Sequence, residues 1–216
     1  MSRLAVFDCD GTLVDGQADI CAAMAVAFGE AGLPAPDLAA VRRAVGLSLP
    51  TAVRRLLPEA DGAVQARVIE AYKRAFQAAR HEGRLGEPLF DGIREALDGL
   101  RARGWLLGVA TGKSDRGLAF CLAGHGLDGH FVTLQTADRH PSKPHPAMLE
   151  AALDEAMVAS GDAVMIGDTA YDMAMAVEAG VRAIGVNWGY HAAAELMAAG
   201  AEVVVNSPGE LVEVLA

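Results

Sequence analysis

The sequence is poor in positive charge and in cysteine. Its 216 residues include 18 lysines and arginines against 28 aspartates and glutamates, a formal net charge of -10. Non-specific binding of nucleic acid or of an anionic membrane needs a basic surface, so this charge argues against both partners. Three cysteines, an odd number without metal-type spacing, predict neither a disulfide framework nor a zinc site and fit a reducing cytoplasm.

Long apolar runs are also missing. Four apolar residues precede the first aspartate, too few for a signal peptide, and no run reaches membrane-spanning length. We therefore expect a soluble, cytoplasmic protein that is a monomer or a homodimer. Because 52% of the residues are hydrophobic, the length suits one core domain with room for a modest insertion.

The most informative stretch runs from Leu4 to Asp15 and has the sequence LAVFDCDGTLVD. Its apolar residues predict a buried strand that leads directly into Asp8, Asp10 and a glycine turn. Residues two apart in an extended chain point to the same side, so both carboxylates should project into one site. A nearby cation or a shared proton makes such a pair tolerable, and the pair suits a nucleophile that works with a proton shuttle. A strand that ends in a polar turn is the simpler alternative.

Residues 16–85 show helical patterns and no strand pattern. Asp-Gly at residues 15–16 and Gly-Glu-Pro at residues 86–88 bracket this block, which predicts a small helical insertion that is a candidate lid. We therefore expect a core domain of residues 1–15 and 86–216, and an all-helical cap domain of residues 16–85.

Strands and helices alternate regularly after residue 90. The strands are predicted at Trp105–Ala110, Phe131–Leu134, Ala163–Ile166, Ala183–Val186 and Val203–Val205. Helices are predicted to begin near Asp91, Ser114, His145, Tyr171, His191 and Ser207. This order predicts an α/β fold, a Rossmann-like parallel sheet with helices on both faces. Ligands of such sheets lie beyond the carboxyl ends of the strands.

Polar residues follow several of these strands. Thr111 and Gly112 end one strand, where a hydroxyl and backbone N–H groups can receive phosphate oxygens, although such turns are also ordinary. Lys143 precedes Pro144 in a stiff segment, which favours a functional role over a solvated surface lysine. Asp168 and Asp172 lie one turn apart at a helix start, where capping and a dipole contact are the plainer alternatives.

Together these positions would bring four aspartates to one edge of the sheet. Without a cation such a cluster would repel a phosphate dianion, whereas Mg²⁺ held by carboxylate oxygens, with Lys143, would offset the charge. Residues 108–114, GVATGKS, also resemble a nucleotide-binding P-loop, but three residues separate the glycines where that motif has four. A P-loop would leave Asp8 and Asp10 unexplained.

In order and spacing, these motifs resemble those of the haloacid dehalogenase superfamily of phosphatases. The C-terminal part, with GVNWG at residues 185–189 and Glu-Leu at 195–196 and 210–211, is similar to its phosphoglycolate phosphatase branch. The resemblance implies magnesium-dependent hydrolysis of a small phosphorylated metabolite, with phosphoglycolate as the leading candidate. The dehalogenases of the superfamily lack the second aspartate, so Asp10 speaks against dehalogenation. A sugar-phosphate mutase of the same fold and a non-catalytic module that binds metal or phosphate are the alternatives.

The resemblance also implies roles for single residues. Asp8 is implied as the nucleophile that forms an aspartyl-phosphate, and Asp10 as the acid that protonates the leaving oxygen and later activates water. Thr111 and Lys143 would steady the phosphoryl group. The implied magnesium ligands are Asp8, the backbone carbonyl of Asp10, and Asp168. Asp172 is implied to act through a water molecule of the metal or to orient Lys143.

Four further residues are expected to bind substrate or to orient other groups. Thr12 would orient Asp10, and Gly112 would lie against the phosphate. Arg42 and Arg43 of the cap could reach a carboxylate or a second anionic group of the substrate, although solvated helix residues are the plainer interpretation.

Overall fold

A parallel sheet forms the centre of the molecule in the computed structural model, which describes residues 2–216. The strands are β1 (Arg3–Phe7), β2 (Trp105–Thr111), β3 (Thr133–Thr136), β4 (Ala163–Gly167), β5 (Arg182–Val186) and β6 (Val203–Val205). Over the described range they form one six-stranded sheet in the order β3-β2-β1-β4-β5-β6, and each neighbouring pair is parallel. The predicted Rossmann-like α/β fold is confirmed.

Helices connect the strands. Their bounds are α1 (Gln17–Glu30), α2 (Leu38–Ala44), α3 (Leu49–Leu56), α4 (Gly62–His81), α5 (Ile93–Ala102), α6 (Asp115–Gly124), α7 (Ala147–Ala156), α8 (Ala170–Glu178), α9 (Ala193–Ala198) and α10 (Pro208–Val214). Several begin at a side chain that accepts a backbone N–H of the first turn, as Asp61 does for α4 and Ser207 for α10. No helix in residues 2–216 has both the length and the apolarity needed to cross a membrane.

Strand β1 lies in the middle of the sheet and packs on both of its faces. Ala5 and Phe7 belong to the hydrophobic cluster on one face, and Leu4 and Val6 belong to the cluster on the other. This alternation follows from the two-residue period of a strand. Burial of each large apolar side chain stabilises the fold by about 1.5–3 kcal/mol, so the end of β1 is a rigid place for a functional group.

The helices of residues 17–81 have a hydrophobic cluster of their own. Met24 and Phe28 of α1 pack in it with Val53 of α3 and Val68 of α4. The chain leaves and re-enters the core at one place, because the N–H of Asp15 donates to the carbonyl of Pro88 at 2.9 Å and the N–H of Phe90 donates to that of Leu13 at 3.0 Å. The division into core and cap domains remains our proposal.

Strand β3 starts two residues later than predicted. The apolar pair before it favoured Phe131–Leu134, but the paired residues are Thr133–Thr136. Polar side chains are tolerated in this buried strand because they have a partner: Glu155 of α7 accepts from the hydroxyl of Thr133 at 2.6 Å and from the amide of Gln135 at 2.7 Å.

Candidate active site

Asp8 directly follows β1 and is fully buried. Its Oδ1 atom accepts the N–H of Cys9 at 2.6 Å and lies 2.9 Å from the ammonium of Lys143. Its Oδ2 atom has no hydrogen-bond partner among residues 2–216. Burial raises the pKa of Asp8 to about 7; Lys143 opposes this rise, and the charges of Asp172 and Asp10 add to it. The carboxylate therefore has one anchored oxygen and one that is free to bind another group.

Lys143 lies between two carboxylates and is itself fully buried. It donates to Oδ1 of Asp172 at 2.6 Å, while Oδ2 of Asp172 accepts the hydroxyl of Thr169 at 2.6 Å and its N–H at 3.0 Å. Burial alone would lower the pKa of Lys143, but the charges of Asp172 and Asp8 outweigh it and the pKa is raised. Lys143 is therefore a permanent cation, and Asp172 is placed to orient it, one of the two roles expected for this aspartate.

Asp168 follows β4 and is fully buried. Its Oδ1 atom accepts the hydroxyl of Thr12 at 2.8 Å, and its Oδ2 atom accepts the N–H of Tyr190 at 2.9 Å. Burial, and then the charges of Asp8 and its neighbours, raise the pKa of Asp168. The capping alternative for Asp168 was wrong, because Thr169 is the N-cap of α8.

The structure corrects the role expected for Thr12. We expected its side chain to orient Asp10 and to contact the substrate, but the side chain is fully buried and its hydroxyl is committed to Asp168. Two glycines also approach Asp168 closely: a Cβ atom on Gly11 or Gly189 would collide with the carboxylate. These three residues hold Asp168 in place.

Asp10 faces a lysine that the sequence did not assign to the site. The ammonium of Lys113 lies 2.9 Å from Oδ1 of Asp10 and 2.5 Å from Oε1 of Glu87. Burial raises the pKa of Asp10; Lys113 opposes the rise and Glu87 adds to it. Gly108 lies inside β2 and Lys113 is paired with acids, so the P-loop resemblance was fortuitous. In the sequence, the scarcity of lysine was the one feature that could have pointed to a functional role for Lys113.

Thr111 and Gly112 lie at the edge where Asp8 lies, because β2 and β1 are parallel neighbours. Thr111 is buried, and its hydroxyl accepts the N–H of Lys113 at 3.2 Å. A Cβ atom on Gly112 would be 2.5 Å from the carbonyl oxygen of Leu47 in the helical segment. Gly112 therefore lets the backbone of that segment contact the core.

The helical segment covers Asp8. A Cβ atom on Gly46 would lie 3.8 Å from Oδ2 of Asp8 and 3.2 Å from the side chain of Thr169. The N–H of Ser48 donates to the hydroxyl of Ser142 at 2.9 Å. The loop between α2 and α3 thus contacts the core directly above the carboxylates, as a lid would.

A cavity of about 450 Å³ lies between the core and the helical segment, and we call it the site cavity. Asp10, Gly112 and Lys113 line it on the core side. Its apolar wall includes Met24, Val41, Leu49, Leu56, Tyr72 and Phe76. Arg80 of α4 and Arg116 of α6 also line it, and neither was among the predicted site residues.

The two arginines that we expected at the substrate lie elsewhere. Arg42 and Arg43 are exposed and do not line the site cavity. Arg43 instead forms an ion pair with Glu195 of α9, with 2.6 Å between Nη2 and Oε1. The side of α2 that carries Arg43 is thus turned towards α9, which the sequence pattern alone does not reveal.

The acidic cluster fits a hard divalent cation. Carboxylate oxygens of Asp8, Asp168 and Asp172 lie within 4.8 Å of one another. The unpartnered Oδ2 of Asp8 is a buried oxygen that a cation would satisfy. Mg²⁺ prefers such oxygen donors, so the residues present suit the expected metal.

Comparison with known proteins identifies the family. The sequence profile of the haloacid dehalogenase-like hydrolases matches residues 5–186. This chain belongs to that family. Among its relatives, the probable phosphatase IndB of Dickeya dadantii is 36% identical over 98% of this chain and 93% of its own length. A phosphoglycolate phosphatase of Pseudomonas syringae pv. tomato is 32% identical over 88% of this chain and 71% of its own length.

The fold of the family is confirmed by solved structures. The crystal structure of a predicted phosphatase from Clostridium acetobutylicum superposes with a TM-score of 0.89 at 28% identity, and covers 100% of this chain and 98% of that one. The prediction of an enzyme with the haloacid dehalogenase-like hydrolase fold is therefore confirmed.

Proposed function

We propose that this haloacid dehalogenase-like hydrolase is a magnesium-dependent phosphatase that cleaves a small phosphate monoester through an aspartyl-phosphate on Asp8. The observation that carries the proposal is the environment of Asp8: a buried carboxylate, anchored on one oxygen by Cys9 and Lys143 and unpartnered on the other. The phosphatase names of two relatives support the same reaction class. Phosphoglycolate is the substrate that one of these two names supplies, and it is the leading candidate from the comparisons.

In the first step, a carboxylate oxygen of Asp8 attacks phosphorus and forms an acyl-phosphate bond. The ester P–O bond breaks, and the leaving oxygen takes a proton from Asp10. The raised pKa of Asp10 favours the protonated form that this step requires. The products are a free alcohol and a phosphorylated Asp8.

In the second step, water attacks the phosphorus of the aspartyl-phosphate while Asp10 accepts a proton from it. The bond between phosphorus and Asp8 breaks, inorganic phosphate is released, and both aspartates return to their initial states. Asp10 serves as acid and then as base, which suits a carboxyl whose pKa is raised towards the working pH.

Charge has to be balanced for a phosphate dianion to approach this cluster. Lys143 contributes a buried positive charge beside Asp8, and Thr111 and the backbone at Gly112 offer donors at the same sheet edge. Asp8, Asp168 and the backbone of Asp10 would hold Mg²⁺, with Asp172 supporting the site through Lys143. When bound, the cation supplies Lewis-acid stabilisation of the phosphoryl oxygens.

Residues 16–85 would act as a cap that excludes bulk water during the reaction. The contacts of Gly46 and Ser48 with the core support this role, because they place the loop between α2 and α3 over Asp8. A cap that closes after substrate binding also protects the acyl-phosphate from water that has not been positioned by Asp10.

The test is release of inorganic phosphate from a panel of phosphate monoesters, phosphoglycolate included, with Mg²⁺ and with a chelator. We expect magnesium-dependent release that Asp8→Asn abolishes and that Asp154→Asn, a change of an exposed aspartate on α7, leaves intact. Mass spectrometry of acid-quenched enzyme should find a phosphoryl group on Asp8. Phosphate release by Asp8→Asn at the native rate would refute the nucleophile.

The same assay separates the alternatives. A mutase of this fold would need a bisphosphorylated activator and would return the phosphoryl group to its substrate, whereas a phosphatase releases phosphate without one. A binding module would take up metal or phosphate with no turnover of any ester by folded protein.

A further inference from the structure

The site cavity is large and apolar for the ester that the names of the relatives suggest. Its volume of about 450 Å³ lies in the range of cavities that enclose drug-sized organic ligands. Phosphoglycolate is small and carries a second charge, and its single methylene group offers little apolar surface to place against Met24, Leu49 and Leu56. Apolar walls gain free energy only when a ligand covers them with apolar surface of its own.

Two aromatic rings of α4 form one wall of this cavity. Tyr72 and Phe76 are one helical turn apart, and their ring centroids are separated by 5.7 Å with an angle of 23° between the ring planes. Tyr72 and Asp10 both line the site cavity, so this wall faces the same space as the reacting end of the site. Aromatic walls prefer a third ring, which they contact by offset stacking or edge-to-face packing.

Arg80 continues the same face of α4, one turn beyond Phe76. Its guanidinium lies 5.8 Å from the ring centroid of Phe76 and 4.5 Å from that of Phe120 on α6. The Nε atom of Arg80 is buried and has no hydrogen-bond partner among the described residues. The Arg80 side chain lines the site cavity, so its guanidinium N–H groups can donate to an acceptor on a bound ligand.

The two lysines that line the cavity already have carboxylate partners. Lys113 is paired with Asp10 and Glu87, and Lys73 is paired with Glu70 at 2.8 Å on the surface of α4. Arg80, by contrast, lines the cavity and forms no ion pair with a carboxylate among the described residues. Tyr72, Phe76 and Arg80 together present two rings and a hydrogen-bond donor along one helical stripe.

We infer that the site cavity selects a phosphate monoester whose leaving group has a flat, apolar ring with a hydrogen-bond acceptor or a carboxylate at its outer end. The ring lies against Tyr72 and Phe76, and the acceptor receives a hydrogen bond from the guanidinium of Arg80. This inference rests on the proposed phosphatase activity and replaces phosphoglycolate as the preferred substrate class.

The experiment compares esters of similar intrinsic reactivity: ethyl phosphate, phosphoglycolate, benzyl phosphate and 4-carboxybenzyl phosphate. We expect kcat/KM to rise at least about tenfold from ethyl phosphate to benzyl phosphate, and again to 4-carboxybenzyl phosphate. Phe76→Ala should reduce the benzyl-to-ethyl ratio, with Phe76→Leu as the milder variant if Phe76→Ala does not fold. Arg80→Gln should bring the 4-carboxybenzyl-to-benzyl ratio close to one.

A matched control lies on the same helix. Arg74 of α4 pairs with Glu30 at 2.7 Å and does not line the site cavity, so Arg74→Gln should leave every ratio unchanged. Equal or higher kcat/KM for ethyl phosphate and phosphoglycolate than for the ring esters would overturn the inference while the phosphatase proposal stands.

Binding of phosphonates separates the two proposals, because their P–C bond is not hydrolysed. With Mg²⁺ present, calorimetry should show benzylphosphonate binding at least about tenfold more tightly than ethylphosphonate. Tighter binding of the ring compound without turnover of any ester would overturn the phosphatase proposal alone. Equal binding of the two phosphonates would overturn the inference about the cavity.

Discussion

Thr12 and Asp168 are separated by 156 residues in the sequence and share a buried hydrogen bond of 2.8 Å. The hydroxyl of Thr12 donates to Oδ1 of Asp168, and the N–H of Tyr190 occupies the other oxygen. A carboxylate that binds a cation has to keep its orientation as the cation arrives. In the proposed metal site, Thr12 would therefore orient Asp168 without contacting the metal itself.

Thr12→Val should weaken magnesium binding. The substitution keeps the size of the side chain and removes its hydroxyl, so Asp168 loses one of the two donors that orient it. We expect the Mg²⁺ concentration for half-maximal activity to rise about 10- to 100-fold. Thr12→Ser retains the hydroxyl and should stay close to the native value. An unchanged magnesium dependence in Thr12→Val would contradict the role given to this hydrogen bond.

Gly112→Ala should keep the cap from closing. Its Cβ atom would lie 2.5 Å from the carbonyl oxygen of Leu47 and 2.8 Å from that of Gly46, and backbone atoms cannot rotate away as a side chain can. Displacement of this loop by about 1 Å should lower kcat/KM by about 100-fold. Gly124→Ala, at the end of α6 with open space around it, is the control. Native kinetics in Gly112→Ala would show that the loop contact is dispensable.

Lys113 and Glu87 should shift the titration of Asp10 in opposite directions. Lys113 opposes the raised pKa of Asp10, so its loss in Lys113→Met raises that pKa further and moves the basic limb of kcat/KM to higher pH. Glu87 adds to the raised pKa, so Glu87→Gln should move the same limb to lower pH. We expect shifts of about one pH unit.

The double variant Lys113→Met/Glu87→Gln provides a check on folding, because it leaves no unpaired charge at position 87 or 113. Its basic limb should fall between those of the single variants. If both single variants moved the limb in the same direction, Asp10 would not be the group that titrates there.

Asp8→Asn should stabilise the metal-free protein at pH 8. The pKa of Asp8 is raised from 3.8 to about 7 on folding, so the folded state binds more protons than the unfolded state between these values. Asp8 therefore reduces the free energy of unfolding progressively as the pH rises from about 4 to about 7. The full effect corresponds to about 4 kcal/mol, and the weaker contact of an amide with Lys143 offsets part of it.

We expect a net gain of about 1–2 kcal/mol, or a rise in Tm of about 4 °C, at pH 8 in the presence of a chelator. The difference from the native chain should shrink at pH 4.5, where Asp8 is protonated in the folded state. Asp154→Asn should show no such pH dependence. A lower Tm for Asp8→Asn at pH 8 would mean that the anchor to Lys143 outweighs the relief of burial.

The sheet was predictable because its strands are buried on both faces and therefore form short apolar runs. Asp8 lies at the end of β1 for the same reason, since a parallel sheet directs the polar residues after each strand to one edge. The acidic cluster there contains Asp8, Asp168 and Asp172, whereas the side chain of Asp10 pairs with Lys113. Strand β3 was displaced because Thr133 and Gln135 are polar residues in buried positions. Their partner Glu155 lies on another element, and hydropathy does not reveal such pairs.

Partners that depend on three-dimensional packing could not be predicted. The sequence drew attention to Lys113 only because lysine is scarce in the chain. Its partner Glu87 is of a residue type usually found on the surface, but the fold buries it. Arg42 and Arg43 were expected at the substrate and Arg80 was not, because helical periodicity alone does not decide which arginine faces the cavity. The rotation of each helix against the core decides it, and that rotation depends on contacts across the whole fold.

The hydrogen bonds that join Asp15 to Pro88 and Leu13 to Phe90 fix both ends of the helical segment at a single point of the core. Neighbouring strands lie about 4.8 Å apart, so the helical segment leaves the core and returns to it at nearly the same place. We expect a segment attached in this way to change in length or sequence without displacing the strands that carry Asp8 and Asp168. The walls of the site cavity that belong to this segment could then change while the end of the sheet stays the same.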